Sequence, residues 1–283
     1  MGLSIERGVP WVLRAAWASL PFALGPALAD LLSEWDSASR TAASLLLWTG
    51  WAAVAVATCV AMPMCLAVVR VGAGVAVVAG ALARTPGALL AILAAGAAAR
   101  PEAALWFVNG PAYANERRYP LRVPGPLVFG PLWLASALVV VGPTVAVLLL
   151  ASGNYLAGAP VTIVGAALAY FSGRSLLMLT RRWLVFVPAG LVLHDPLTLA
   201  DPVLFERKVI ESLRPAASGI DSLDLTQAAL GLPLELVLTE KVPMVLAKGR
   251  RRSESGASAR LLFSPTRPGR VLAEAAERRI IVG

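Results

Sequence analysis

The feature that most restricts this chain is a series of apolar runs in its first 175 residues, each bounded by proline, glycine or charge. A helix rises 1.5 Å per residue, so about 20 apolar residues cross the hydrocarbon of a bilayer. Gly8 to Leu32, Ser44 to Ala61, Met64 to Ala83, Leu127 to Ala151 and Tyr155 to Ser172 approach or reach that length. Gly87 to Ala99 is too short alone. It must borrow from Pro101 to Phe107 or re-enter the side it came from. The first run has a second reading, since Arg7, Arg14 and Ala27-Leu28-Ala29 also outline a cleavable signal peptide. Pro21 and Pro26 are tolerable in a helix bundle, and a retained, kinked span is the preferred reading. The expectation is six spans, or five.

Composition agrees. The 283 residues are 58% hydrophobic and 15% charged, against about 25% charged in an ordinary soluble domain. The net charge of +8 is unevenly placed: sixteen of the 25 Lys/Arg and eleven of the 17 Asp/Glu lie from Arg174 onward. A helical part over 1–175 and a soluble part over 176–283 follow. Arginines in short loops mark the cytoplasmic side. Arg117, Arg118 and Arg122 sit in one such loop, and Arg174, Arg181 and Arg182 follow the last span. Two spans separate these groups, so both fit inside, and six spans with both ends inside satisfy nearly every charge. Arg181, Arg182 and Trp183 then read as a topology anchor.

Three features of the helical part invite functional readings. Arg70 lies about two turns from the cytoplasmic end of its run and is expected to snorkel; the alternative is a functional intramembrane cation. No Asp or Glu falls deep in a run to pair with it. The loop at 101–126 carries Trp106, Phe107, Tyr113 and Tyr119 among arginines, and Pro111, Pro120, Pro124 and Pro126 forbid a long helix. It reads as an interfacial anchor, or alternatively as a docking surface for the tail. Gly72, Gly74, Gly80, Gly158 and Gly165 allow close helix approach.

The tail alternates short β-branched and aromatic runs with turn residues. Trp183–Val187 and Leu191–His194 form a hairpin over Pro188-Ala189-Gly190. Val203–Phe205, Val209–Leu213, Ser222–Thr226, Leu234–Thr239, Val242–Ala247 and Arg260–Phe263 are further strand candidates. Lys248 to Ser258 reads as a mobile loop. Pro268 opens a helix running to about Arg279. The hairpin WLVFVPAGLVLHD, the segment VLFERKVIESL and the strand-to-helix LLFSPTRPGRVLAEAAERR resemble pleckstrin-homology-like (PH-like) domains of bacterial membrane proteins. That resemblance implies a curved antiparallel sandwich closed by a terminal helix, binding at a sheet edge or at open-end loops. WFVNGPAYANERRYPLR and RRWLVFVPAGLVLHDPLTLADPVLF resemble a family of multi-pass actinobacterial membrane proteins, which implies architecture and no activity.

Chemistry is not visible. A nucleophilic triad needs a base beside Ser or Cys. The single histidine, His194, adjoins Asp195 and is followed by Pro196, Leu197 and Thr198. One histidine forbids a His-rich metal site, and Cys59 and Cys65 imply no disulfide framework. Asp195, Asp201 and Glu206 read as solvated edge charges. Gly249 to Gly256 lacks the Lys-Ser/Thr step of a phosphate loop. The expected function is a non-enzymatic anchor or scaffold in the plasma membrane, without cofactor. Its cytoplasmic domain would bind anionic lipid or a protein partner through Arg117, Arg118, Arg122, Lys248, Arg250, Arg251 and Arg252. Nucleic acid is not expected, since no aromatic platform interleaves these charges. The alternative is a transporter or channel component for an anionic solute, with Arg70 on the path.

Overall fold

The computed structural model describes residues 2–217, 221–249 and 252–283, with side chains from Gly8 onward. It divides into two compact units, residues 1–110 with 133–177, and residues 111–132 with 178–283.

The first unit is helical. α1 spans Gly2–Leu32, α2 Ser37–Cys59, α3 Pro63–Leu82, α4 Gly87–Ala99 and α5 Pro101–Asn109. Asp36 caps α2, its carboxylate accepting from Ala38 and Ser39 N–H at 3.1 and 2.9 Å. Pro63 and Pro101 start α3 and α5, where a missing N–H costs nothing. The interior of α1–α5 is built largely from small residues, Ala73, Ala91, Ala94 and Ala98, around Leu13, Trp17, Leu20 and Phe107. Large apolar side chains such as Phe22, Leu45, Val56, Leu82 and Leu89 point outward. Trp17 and Trp51 each donate an indole N–H to the other's backbone carbonyl, at 3.0 and 3.1 Å, which ties α1 to α2.

α7 (Pro131–Ala151) and α8 (Tyr155–Leu179) form a hairpin over Ser152-Gly153-Asn154. A Cβ on Gly142 would lie 3.0 Å from the Gly165 Cα, so the two backbones nearly touch. Gly72, Gly80 and Gly158 are equally confined by Val54, Ala88 and Leu150, whereas Gly74 faces open space. Among the described residues five helices are long and apolar enough to cross a membrane: residues 8–32 of α1, α2, α3, α7 and α8. The pair α4–α5, bent by 59°, makes a sixth if counted as one span.

Among its described residues the second unit has eight strands in two sheets. β1 (Arg117–Pro120), β2 (Trp183–Val187), β3 (Gly190–His194) and β4 (Val203–Glu206) pair antiparallel in that order. The second sheet has β5 (Ile210–Pro215), β7 (Leu234–Ala247), β8 (Ser253–Phe263) and β6 (Leu223–Asp224), in the order β5-β7-β8-β6, with β6 parallel to β8. A turn of helix, α6 (Gly125–Val128), follows β1, and α9 (Pro268–Glu277) packs on β5. Phe186, Phe205 and Phe263 are fully buried, each contributing about 1.5–3 kcal/mol on transfer from water. Val271 and Ala275 of α9 are buried as well.

Three expectations need correction. The segment read as an interfacial loop supplies a strand: β1 pairs with β2 from Arg117↔Phe186 to Pro120↔Trp183. Alternation there is too short to see, and its partner lies beyond two apolar helices. The two strand candidates over 234–247 are one strand, with an irregularity between Val237 and Val242 absorbing Glu240-Lys241. The supposed mobile loop shrinks, because β8 begins at Ser253 and pairs with β7 from Ala247↔Ser253 onward.

Candidate lipid and partner contact surface

The second unit begins its main sheet four residues after α8 ends, and the seam is built around a buried ion pair. Arg182 and Asp195 are only 2% and 1% exposed. The guanidinium grips the carboxylate with two bonds of 2.7 Å, Nε to Oδ1 and Nη2 to Oδ2. Its Nη1 donates to the Arg122 carbonyl at 2.7 Å, and Asp195 Oδ1 also accepts from Leu197 N–H at 3.1 Å. Arg182 is therefore no solvated topology anchor, and Asp195 is no edge charge. Together they join the β2–β3 hairpin to the chain leaving β1. A signal for this existed: the hairpin pairs Val187 with Gly190 and Trp183 with His194, and one more step sets Arg182 opposite Asp195.

One face of that sheet carries a row of polar aromatic contacts. Trp183 stacks on His194 with ring centroids 5.1 Å apart. The Arg118 guanidinium lies 5.6 Å over the same indole. Burial lowers the His194 pKa first; Asp195 opposes this, and the Arg181 and Arg118 cations lower it further. His194 is thus held neutral at pH 7. Glu116 is paired with Arg118 at 3.1 Å. Burial raises the pKa of this carboxylate, but hydrogen bonds from Arg118 and Tyr113 N–H outweigh it and leave the group below its ordinary value.

The expected contact arginines divide accordingly. Arg117 is exposed on the edge strand. Arg118 is half-buried over Trp183. Arg122 donates Nε–H to the Pro265 carbonyl at 3.3 Å and packs against Gly231. Lys248 and Arg252 are exposed at the tip of the β7–β8 hairpin, where Lys248 N–H donates to the Arg252 carbonyl at 2.8 Å and the Lys248 ammonium pairs with Glu254. Arg250 and Arg251 lie outside the described residues. Arg117 and Arg118 lie on a strand of the first sheet, Lys248 and Arg252 at the end of a hairpin of the second.

Two further polar contacts were not anticipated. Glu235, fully buried on β7, accepts from Arg214 Nε and the Ser222 hydroxyl, both at 2.9 Å, with Arg260 at 4.0 Å. Burial opposes ionisation, yet these donors and cations hold its pKa below 4.5. The Tyr119 hydroxyl donates to Glu274 of α9 at 3.1 Å, and burial beside that carboxylate pushes the phenol pKa strongly upward. Strand alternation marks neither partner, because both are distant in the chain.

In the helical unit two arginines serve helix ends. Arg70 Nε–H donates to the Ala98 carbonyl at 3.2 Å. That carbonyl has lost its helical donor where Pro101 breaks α4 from α5, so the cation meets a C-terminal orphan. Arg14 does the same for the Thr58 carbonyl near the end of α2, at 3.0 Å, between the rings of Trp11 and Trp106. One carboxylate does reach the interior: Glu102 is buried in the first turn of α5, 3.7 Å from Arg100 Nε. Among the described residues no group of three or more His, Cys, Asp or Glu is placed to hold a metal ion. No protein-family model, curated protein or solved structure matches this chain.

Proposed function

We propose that this protein is a multi-pass protein of the plasma membrane that acts as a non-enzymatic anchor or scaffold. Its second unit is a cytoplasmic module of PH-like kind that binds an anionic lipid surface or a protein partner. The observation that carries the reading is the sequence position of the α7–α8 hairpin, inserted between two adjacent strands of one sheet. The chain therefore leaves the module for the helical hairpin from one strand and returns to it at the neighbouring strand. The outward-facing large apolar residues of α1–α5 support insertion in lipid, since a water-soluble surface would not expose them so densely. The PH-like reading is supported by the element order: a four-strand meander, a second four-stranded sheet, then a terminal helix. Of the expected contact cations, Arg117, Arg252 and the Glu254-paired Lys248 are exposed and can meet phosphate headgroups or acidic side chains, each contributing about 1 kcal/mol near an anionic surface.

The test is crosslinking with mass spectrometry in native membranes, which reads partner and lipid-face contacts together. Reversing the charge of Lys248 and Arg252 should weaken anionic-vesicle adhesion or partner capture by the full chain. If neither changes, the hairpin tip is not the contact.

One observation favours the transporter reading: the 59° bend between α4 and α5, with Glu102 buried beside it. Broken helices line solute paths in transporters. A buried carboxylate suits an anionic path poorly, however, and Arg70 is engaged with a backbone carbonyl. Reconstituted anion flux abolished by Arg70→Ala would establish the transporter instead.

A further inference from the structure

The loop between β6 and β7 meets the contacts above only where Gly231 packs on Arg122. From Leu225 to Pro233, LTQAALGLP, it carries no charge. Gln227 and Ala228 both hold left-handed backbone, φ 54° and 52°, and Gly231 has φ 115°. Two successive residues with a Cβ rarely adopt this, and it persists only where the surroundings impose it. Here they do. Asp224 accepts from Thr226 N–H at 2.7 Å. The Ala228 carbonyl lies so close to Gly125 that a Cβ there would stand 2.2 Å from its oxygen. Gly231 sits on the Arg122 guanidinium, which would have to shift for a side chain there, since a Cβ would be 2.7 Å from Cζ.

The loop is thus clamped onto residues 122–125, and the clamp turns Leu230 and Leu232 outward, 57% and 48% exposed. Single exposed leucines are ordinary. These two share an uncharged, stiffened loop fixed to the segment that leads into a candidate span. Five residues separate Gly125 from Pro131, the first of α7, a reach of at most about 20 Å, shortened by the turn of α6. Phe129, 77% exposed, lies on that path, and exposed Trp133 and Leu134 open the helix itself. Aromatic residues at the start of a span mark the headgroup level.

We infer that loop 227–232 is a bilayer-inserting element. Leu230 and Leu232, with Phe129, enter the boundary between headgroups and acyl chains. The ligand is the apolar layer of the membrane rather than its charge, and the loop's backbone is stiff so that the leucines are presented without an ordering cost on contact. This rests on the membrane reading proposed above.

The experiment uses the full chain with Cys59→Ser and Cys65→Ser, reconstituted into phosphatidylcholine vesicles containing acyl-chain nitroxide lipid. Single cysteines at positions 230, 232, 134 and 255 carry a polarity-sensitive fluorophore. Expected is strong lipid quenching at 230 and 232 as at 134, unchanged in high salt, with position 255 on β8 unquenched. If 134 is quenched while 230 and 232 behave like 255, loop insertion is overturned and the membrane reading stands. If 230 and 232 are shielded from water but not quenched by lipid, protein covers them and the inference is again overturned. If 134 itself is unquenched, the membrane reading falls and takes the inference with it.

Discussion

At Arg182 a charge that would suit the end of a span is instead withdrawn from water. Desolvating a guanidinium and a carboxylate costs several kcal/mol each, and only good geometry offsets it. The paired 2.7 Å bonds to Asp195, the third bond to the Arg122 carbonyl and the Leu197 N–H supply that geometry. Arg182→Met should therefore cost about 3–5 kcal/mol, because it leaves a buried carboxylate unpaired. Adding Asp195→Leu should recover most of the loss, since an apolar pair of similar volume needs no compensation. Amide hydrogen exchange of β2 and β3 in the full chain reads both effects. Glu235 makes a different prediction, in pH. Its folded pKa is depressed below 4.5 by Arg214 and Ser222. Such a group stabilises the fold fully above its unfolded pKa, and the contribution disappears as pH falls through the folded value. Unfolding midpoints measured from pH 7 down to pH 3 should fall more steeply in the native protein than in Glu235→Gln. The variant should be the less stable at pH 7. A variant with an unaltered acid limb would mean that Glu235 is not ionised in the fold.

Among the elements, β1 decides how the second unit can be handled. Residues 178–283 alone lack the strand that pairs with β2, leave Leu184 and Phe186 without Tyr119 beside them, and expose the β2 edge. They should aggregate or melt without cooperativity. Residues 111–130 joined to 180–283 by a short Gly/Ser linker should fold, because Pro120 already lies opposite Trp183 and Leu121 N–H donates to the Arg182 carbonyl at 3.0 Å. Thermal circular dichroism of the two chains separates these outcomes, and equal cooperativity would show β1 to be dispensable. The same element marks the boundary of what the sequence can reveal. Apolar runs locate α2, α3, α7 and α8 because a helix is a local object, and the Pro188-Ala189-Gly190 turn locates β2 and β3 for the same reason. RRYP carries no such pattern; its strand character comes from a partner more than sixty residues away. Arg118 and Arg122 looked like free surface charge for that reason, while their contacts with Trp183, Glu116, Pro265 and Gly231 depend on the assembled sheet. Arg117 and Lys248, at an edge and a tip, are exposed.

For the whole molecule, strand pairing constrains topology more firmly than loop charge does. The chain leaves the first sheet after Pro120, runs through α7 and α8, and returns at Trp183 directly opposite. Residues 111–130 and 178–283 must therefore share one side of any membrane that α7 and α8 cross. The position of everything before residue 110 then depends on one element, the bent pair α4–α5. If it crosses, the turn at Thr85 lies opposite the β unit, the acidic turn at Glu34 lies on the same far side, and Met1 returns to the near side. If it re-enters, each of these three positions is reversed. The Arg70 bond to the Ala98 carbonyl favours the crossing, because it gives a backbone acceptor at the bend a partner without water, as a span through hydrocarbon requires. Single cysteines at Ser33, Thr85, Asn115, Ser152 and Ser255, in the cysteine-free background, can be probed with an impermeant maleimide on intact cells and on inverted vesicles. Positions 33, 85 and 152 should label from outside, and 115 and 255 only from the cytoplasmic face. Labelling of 85 from the same face as 115 would make α4–α5 a re-entrant element and reduce the spans to five. Labelling of 115 and 255 from opposite faces contradicts the β1–β2 pairing itself, and with it the architecture on which the proposed function depends.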